Sequence, residues 1–126
     1  MLQALNIQPE GAHHEEGPGQ NEIDFRYSDA LTAADNAMTF RTVVKTVAAR
    51  NGLFADFSPR PLDDAPGSGF HMNMSVKAAS GADLLPHMIA GILEFVPDIT
   101  VFLNPTEASY ARLGRDKAPK YVSWSS

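Results

Sequence analysis

Between Gly11 and Leu31 the chain reads GAHHEEGPGQNEIDFRYSDAL: two adjacent histidines, two adjacent glutamates, a Gly-Pro-Gly, and then Glu22. Glu15 and Glu22 stand seven positions apart. Fully extended, that separation spans roughly 23–25 Å, too far for one site. The triplet Gly17-Pro18-Gly19 removes the obstacle, because it favours a tight reversal that brings the chain back on itself. Two carboxylates so gathered offer hard oxygen donors, the kind Mg²⁺ or Mn²⁺ takes. Glutamates beside a turn are also a common solvated surface, so the pair alone is a weak signal.

A second set of polar groups follows the glycine-rich PGSG. His71, Asn73 and Ser75 fall on one side of an alternating run, with Phe70, Met72, Met74 and Val76 on the other. An imidazole, an amide and a hydroxyl in a row can bind a metal and a polar ligand together. The same pattern also describes the solvent side of an ordinary antiparallel strand. His13 and His14 are neighbours, so on an extended segment they point to opposite faces and do not share an ion. One of them touching substrate and a plain loop role are equally open. His87, at a helix start, reads as structural or exposed. Arg112, in SYARL, is a lone guanidinium able to hold a carboxylate or phosphate, or simply to be solvated.

These groups need elements to place them. EIDFRY alternates as a half-buried strand, with Ile23, Phe25 and Tyr27 on the apolar side. LTAADNAMTFRTVVKTVAARNG predicts a helix capped by Thr32, with Ala37, Phe40, Val44, Val47 and Ala48 as its stripe and Asn51-Gly52 as its end. LFADF and FHMNMSVK read as strands, with the Pro-, Gly- and Asp-rich SPRPLDDAPGSG as the loop between them. A second helix is expected from about Pro86 to Phe95, stopped by Pro97, with Leu85, Met88, Ile89, Ile92 and Leu93 on its buried side. A short helical piece around Ser109 to Leu113 and a last strand from about Lys120 to Trp124 complete the chain. The order implies an α+β domain: an antiparallel sheet with flanking helices.

Composition sets the outer limits. With 126 residues and 44% hydrophobic content, the chain fits one small domain or a piece of a larger one. Ten basic and fifteen acidic residues leave a net charge of −5, which argues against nucleic acid as a partner. There is no cysteine, hence no disulfide and no thiolate metal site. No apolar run of about 18 residues is recognisable as a membrane span, and no leader pattern is present. A cytoplasmic protein is the expectation.

Four stretches, HHEEGPGQNEIDF, GSGFHMNMS, NPTEASYARL and APKYVSWS, resemble in sequence and order the catalytic region of bacterial-type glutamine synthetase. The resemblance runs from about His13 to Trp124. It implies a partial catalytic (guanido-kinase-like) domain over residues 1–126. Glu15 and Glu22 match glutamates that bind one catalytic metal, and His71 matches a histidine that binds the other. Ser75 matches a position near the nucleotide, and Asn73 stands where the family often has a histidine contacting ATP. Gly67 matches a glycine of the glutamate-binding loop. Arg112 matches an arginine that binds substrate carboxylate or phosphate, and so carries a catalytic role. The implied cofactor is Mg²⁺ or Mn²⁺, with ATP as a substrate. The implied chemistry has the side-chain carboxylate of glutamate attack the terminal phosphate of ATP. Ammonia then displaces phosphate from the acyl phosphate. The resemblance also implies a large homo-oligomer with active sites between subunits.

Two departures stand out. Lys117, in RDKAP, occupies the place of a family glutamate near the ammonium site, and Pro66 replaces an asparagine before the loop glycine. The family's N-terminal β-grasp domain and its later arginine- and glutamate-bearing segments have no counterpart here. The expectation is therefore a fragment of a glutamate–ammonia ligase, inactive by itself. The alternatives are an inactive metal- or nucleotide-binding module and a ligase that joins glutamate to another amine.

Overall fold

A computed structural model describes residues 1–114. Lys117 and the expected strand at about 120–124 lie outside them. The elements are a short 3-10 turn at Gln3–Leu5, strands β1 (Pro9–His14) and β2 (Asn21–Phe25), and helices α1 (Ala30–Arg50), α2 (Leu85–Leu103) and α3 (Glu107–Arg112). The strands form one antiparallel two-stranded sheet, so the class is α+β, as expected.

β1 was not anticipated as a strand, since glycine and two histidines carry little β signal. It forms as the partner that the alternating β2 requires. The register pairs His13 with Glu22, Ala12 with Ile23 and Gly11 with Asp24, with an irregularity between Pro9 and Gly11. Gly17, Pro18, Gly19 and Gln20 make the reversal, closed by a bond from Gln20 N to Gly17 O at 3.0 Å. Proline at the second position and Gly19 at φ 68° in the third are the signature of a type II turn.

One face of the hairpin turns to α1. Phe25 meets Phe40 edge-on with ring centroids 5.0 Å apart, and Phe40 meets Phe57 at 6.0 Å. Such pairs contribute about 0.5–1.5 kcal/mol each beyond the area they bury. α1 starts three residues earlier than expected: its cap is Asp29, not Thr32, and the Asp29 carboxylate accepts from Thr32 N at 3.1 Å. Its end is a Schellman motif. Leu53 N reaches Ala48 O, Gly52 N reaches Ala49 O, and Gly52 sits at φ 71°.

Three expectations need correction. LFADF and FHMNMSVK are not strands, and Phe54, Phe70, Met72 and Met74 are exposed. Alternation makes a strand only where a neighbour pairs its backbone, and among the described residues neither segment is given one. The second helix does not stop at Pro97 but carries the proline inside it. Proline removes one donor, at a cost of about 3 kcal/mol, and the apolar run continues through it. The resulting 19-residue helix has a mean hydropathy of 1.4, long and apolar enough to cross a membrane by length and composition. The reading that no apolar run approaches that length fails because it ended the helix at Phe95.

The core is small. Ile7 and Ala65 are the buried apolar residues among those described, and Ser109 is buried beside its cap Thr106. Among the described residues the two strands are the one pair of elements in extensive contact. Between the N-terminal turn and α1 lies an open apolar groove of about 480 Å³, lined by Leu2, Val43, Val44 and Val47 among others. No carboxylate or imidazole lines it.

Candidate functional site

The second face of the hairpin is polar. Side chains alternate along a strand, so Gly11, His13 and Glu15 share a face with Glu22 and Asp24 across the register. His13 Nε2 lies 3.7 Å from Glu15 Oε1, 3.5 Å from Glu22 Oε1 and 3.8 Å from Asp24 Oδ2. The turn thus brings both sequence-predicted carboxylates to one imidazole. Potential ligand atoms of His13, Glu22 and Asp24 all lie within 4.8 Å of one another. Gly11 makes room for this: a Cβ there would stand 3.1 Å from Asp24 Oδ2.

Sequence reasoning did not single out Asp24, and it weighed His13 only for a substrate contact or a plain loop role, not as a partner of these carboxylates. The signal was available, since Asp24 is two residues beyond Glu22 and His13 is two before Glu15. Reading it required the register, which only the hairpin supplies. The earlier point about the histidine pair stands: His14 belongs to the other face.

The cluster suits a hard divalent cation. It supplies carboxylate oxygens, and its side chains are only about half covered, which leaves room for the waters such ions keep. One imidazole nitrogen adds a donor that Mn²⁺ accepts more readily than Mg²⁺.

A second focus is the loop at Gly67. A Cβ on Gly67 would lie 2.7 Å from Pro59 O and 2.8 Å from Arg112 Nε, so only glycine fits without displacing them. Arg112, in the last turn of α3, donates from a terminal guanidinium nitrogen to Ser68 O at 3.1 Å. Ser68 N donates to Pro59 O at 2.8 Å. Gln20, from the hairpin turn, donates from Nε2 to Gly67 O at 3.2 Å. The two residues assigned to glutamate, Gly67 and Arg112, are therefore adjacent in space, and Pro66 sits half-buried beside them.

His71, Asn73 and Ser75 are exposed on an irregular segment. His71 folds back over Gly69, where a Cβ would lie 2.9 Å from its Nε2. Among the described residues it belongs to no group of three metal-competent side chains. Among the described residues, the carboxyls of Asp29 and Asp56 are held below their ordinary value. They are lowered chiefly by hydrogen bonds from Thr32 and from Ser58 respectively, away from the site.

Comparison with known proteins decides the family. A family model described as the glutamine synthetase catalytic domain matches residues 1–126. The chain belongs to the glutamine synthetase family. It is 42% identical to the glutamine synthetase of Clostridium saccharobutylicum, covering 98% of this chain and 31% of that protein. It is 40% identical to that of Pyrococcus abyssi, over 98% of this chain and 30% of the relative. For Thermus thermophilus glutamine synthetase the identity is 42%, over 98% and 31%. The chain thus spans a little under a third of the length of these curated relatives.

Proposed function

We propose that this chain is the part of a glutamate–ammonia ligase that carries one half of a cation site and the glutamate loop beside it. The observation that supports this most directly is the convergence of Glu15 and Glu22 on His13, within 3.7 Å and 3.5 Å of its Nε2. Family membership gives that convergence a chemical purpose.

Glu15 and Glu22 would hold Mg²⁺ or Mn²⁺, and His71 would contribute to a second metal whose other ligands lie outside this chain. A divalent ion held there would supply positive charge to offset charge that builds on phosphate oxygens. The chain's own residues do the rest. Arg112 presents a guanidinium beside Gly67, a clamp for the carboxylate of glutamate or for phosphate. Gly67 lets Pro59 and Arg112 pack closely against the loop, where a side chain would push Arg112 away. Asn73 and Ser75 offer an amide and a hydroxyl to ATP. The expected overall reaction joins ammonia to glutamate at the expense of ATP.

The open faces agree with a fragment reading. The apolar α2 would be covered by the remainder of the ligase rather than by lipid, and the net charge of −5 gives nucleic acid no footing. A cytoplasmic homo-oligomer with sites shared between subunits, and no catalysis by the isolated chain, complete the proposal.

A chimera tests it. The matching segment of the Clostridium saccharobutylicum relative is replaced by this chain, and glutamine formation from glutamate, ammonia and ATP is measured. Activity that disappears with Glu22→Ala supports the reading. An inactive chimera that folds, assembles and binds Mn²⁺ like the parent would sink it.

A further inference from the structure

We propose that Gln20 is a positioning residue that couples the cation-bearing hairpin to the glutamate loop, an inference that rests on the reading of both sites given above. Every polar group of Gln20 is engaged. Its backbone N–H donates to Gly17 O at 3.0 Å, and its backbone carbonyl accepts from Glu15 N at 3.1 Å. Its side-chain Oε1 accepts from Gly17 N at 3.0 Å, and Nε2 donates to Gly67 O at 3.2 Å. The last bond spans 47 positions of sequence.

The placement is specific. Gln20 bonds the backbone of Glu15 and lies two residues before Glu22, so it sits in the backbone path joining the two carboxylates. Gly17 is cut to fit it: a Cβ there would stand 2.8 Å from Gln20 Oε1. On the other side, the Gly67–Ser68 backbone has little freedom to ignore a pull. Ser68 N is tied to Pro59 O, and Ser68 O is tied to Arg112. When a cation draws Glu15 and Glu22 together, the turn between them moves, and the amide of Gln20 carries that displacement to Gly67 O. A half-buried amide engaged at both ends is costly to release at one end only, which makes it a stiff link. Occupancy of the cation site thereby sets the position of the loop that receives glutamate.

The test follows backbone amide resonances of the full chain during Mg²⁺ titration, in wild type, Gln20→Glu and Gln20→Met. Gln20→Glu keeps an acceptor for Gly17 N–H and removes the donor to Gly67 O. Gln20→Met keeps the length and removes both. In wild type, Gly67 and Ser68 should shift along the same saturation curve as Glu15 and Glu22. In Gln20→Glu, the responses at Glu15 and Glu22 should persist while those at Gly67 and Ser68 are lost. Persistence at Gly67 and Ser68 in both variants would overturn the coupling, as would their silence in wild type. Loss of the Glu15 and Glu22 response in both variants would show that Gln20 only builds the turn, and would overturn it too. A wild-type chain with no response at Glu15 or Glu22 would remove the cation reading itself, and the coupling with it.

Discussion

His13 stands directly opposite Glu22 in the hairpin register, and its Nε2 lies 3.5 Å from that carboxylate. This cross-strand pair draws the charges of the polar face together at one point. It gives Glu15, Glu22 and Asp24 a shared point of convergence.

The turn that creates this convergence depends on Gly19, whose φ is 68°. No atom crowds a Cβ there, so backbone conformation alone demands glycine. Gly19→Ala should destabilise the hairpin by about 1–2 kcal/mol, the cost of a left-handed conformation for an L-residue. Gly19→Asn should cost less, because asparagine tolerates that region. Denaturant titration of the two variants beside wild type checks the ranking. Equal stability of all three would argue that the turn is not type II.

At Gly67 the demand is the reverse: space decides. Gly67→Ala places a methyl against Pro59 O and Arg112 Nε, and overpacking of this kind typically costs about 1–3 kcal/mol. The cost should shrink in an Arg112→Ala background, where half of the clash is gone. A double-mutant cycle read by chemical denaturation measures the non-additivity. Strict additivity would mean that Arg112 does not rest on the loop.

Acid should loosen α1 through its cap. Hydrogen bonds from Thr32 hold the Asp29 carboxyl below its ordinary value of 3.8. A folded pKa lowered in this way gives stability that is present above 3.8 and is lost as pH falls through the folded value. Helical content by circular dichroism should therefore decline on that acid limb. Asp29→Asn keeps a neutral acceptor and should flatten the decline, whereas Asp29→Ala should lower helicity at every pH.

Exposed apolar side chains on α2 should make the chain self-associate. Phe102 is 80% exposed and Val101 57%, on a helix without a buried residue. Light scattering should show mass rising with concentration, and Val101→Lys with Phe102→Lys should shift the chain toward monomer. A monodisperse wild-type monomer with a high melting temperature would contradict this.

How much of this was legible in the sequence varies by element. The period-two pattern of EIDFRY located β2, the 3.6-residue stripe located α1, and the glycine-proline triplet located the reversal. The partner strand β1 was hidden, because Gly11, His13 and His14 follow no apolar alternation and form a strand only through pairing. That His13 and Asp24 join the two glutamates stayed hidden for the same reason, since membership in the cluster is set by register. FHMNMSVK shows the opposite failure. Its alternation is clean, yet among the described residues no strand pairs with it. At Pro97 a local rule lost to a longer one, as the apolar run on both sides carried the helix through. The family motifs named Gly67 and Arg112, but not that Gln20 would bond the same loop from the hairpin.

The most direct test of the central claim is calorimetric titration of Mn²⁺ into the chain, beside the double variant Glu15→Ala/Glu22→Ala. The account predicts saturable binding by wild type that the double variant loses, with the hairpin still folded. Equal binding by both, or none by wild type, would contradict the claim that this turn gathers the two carboxylates into a cation site.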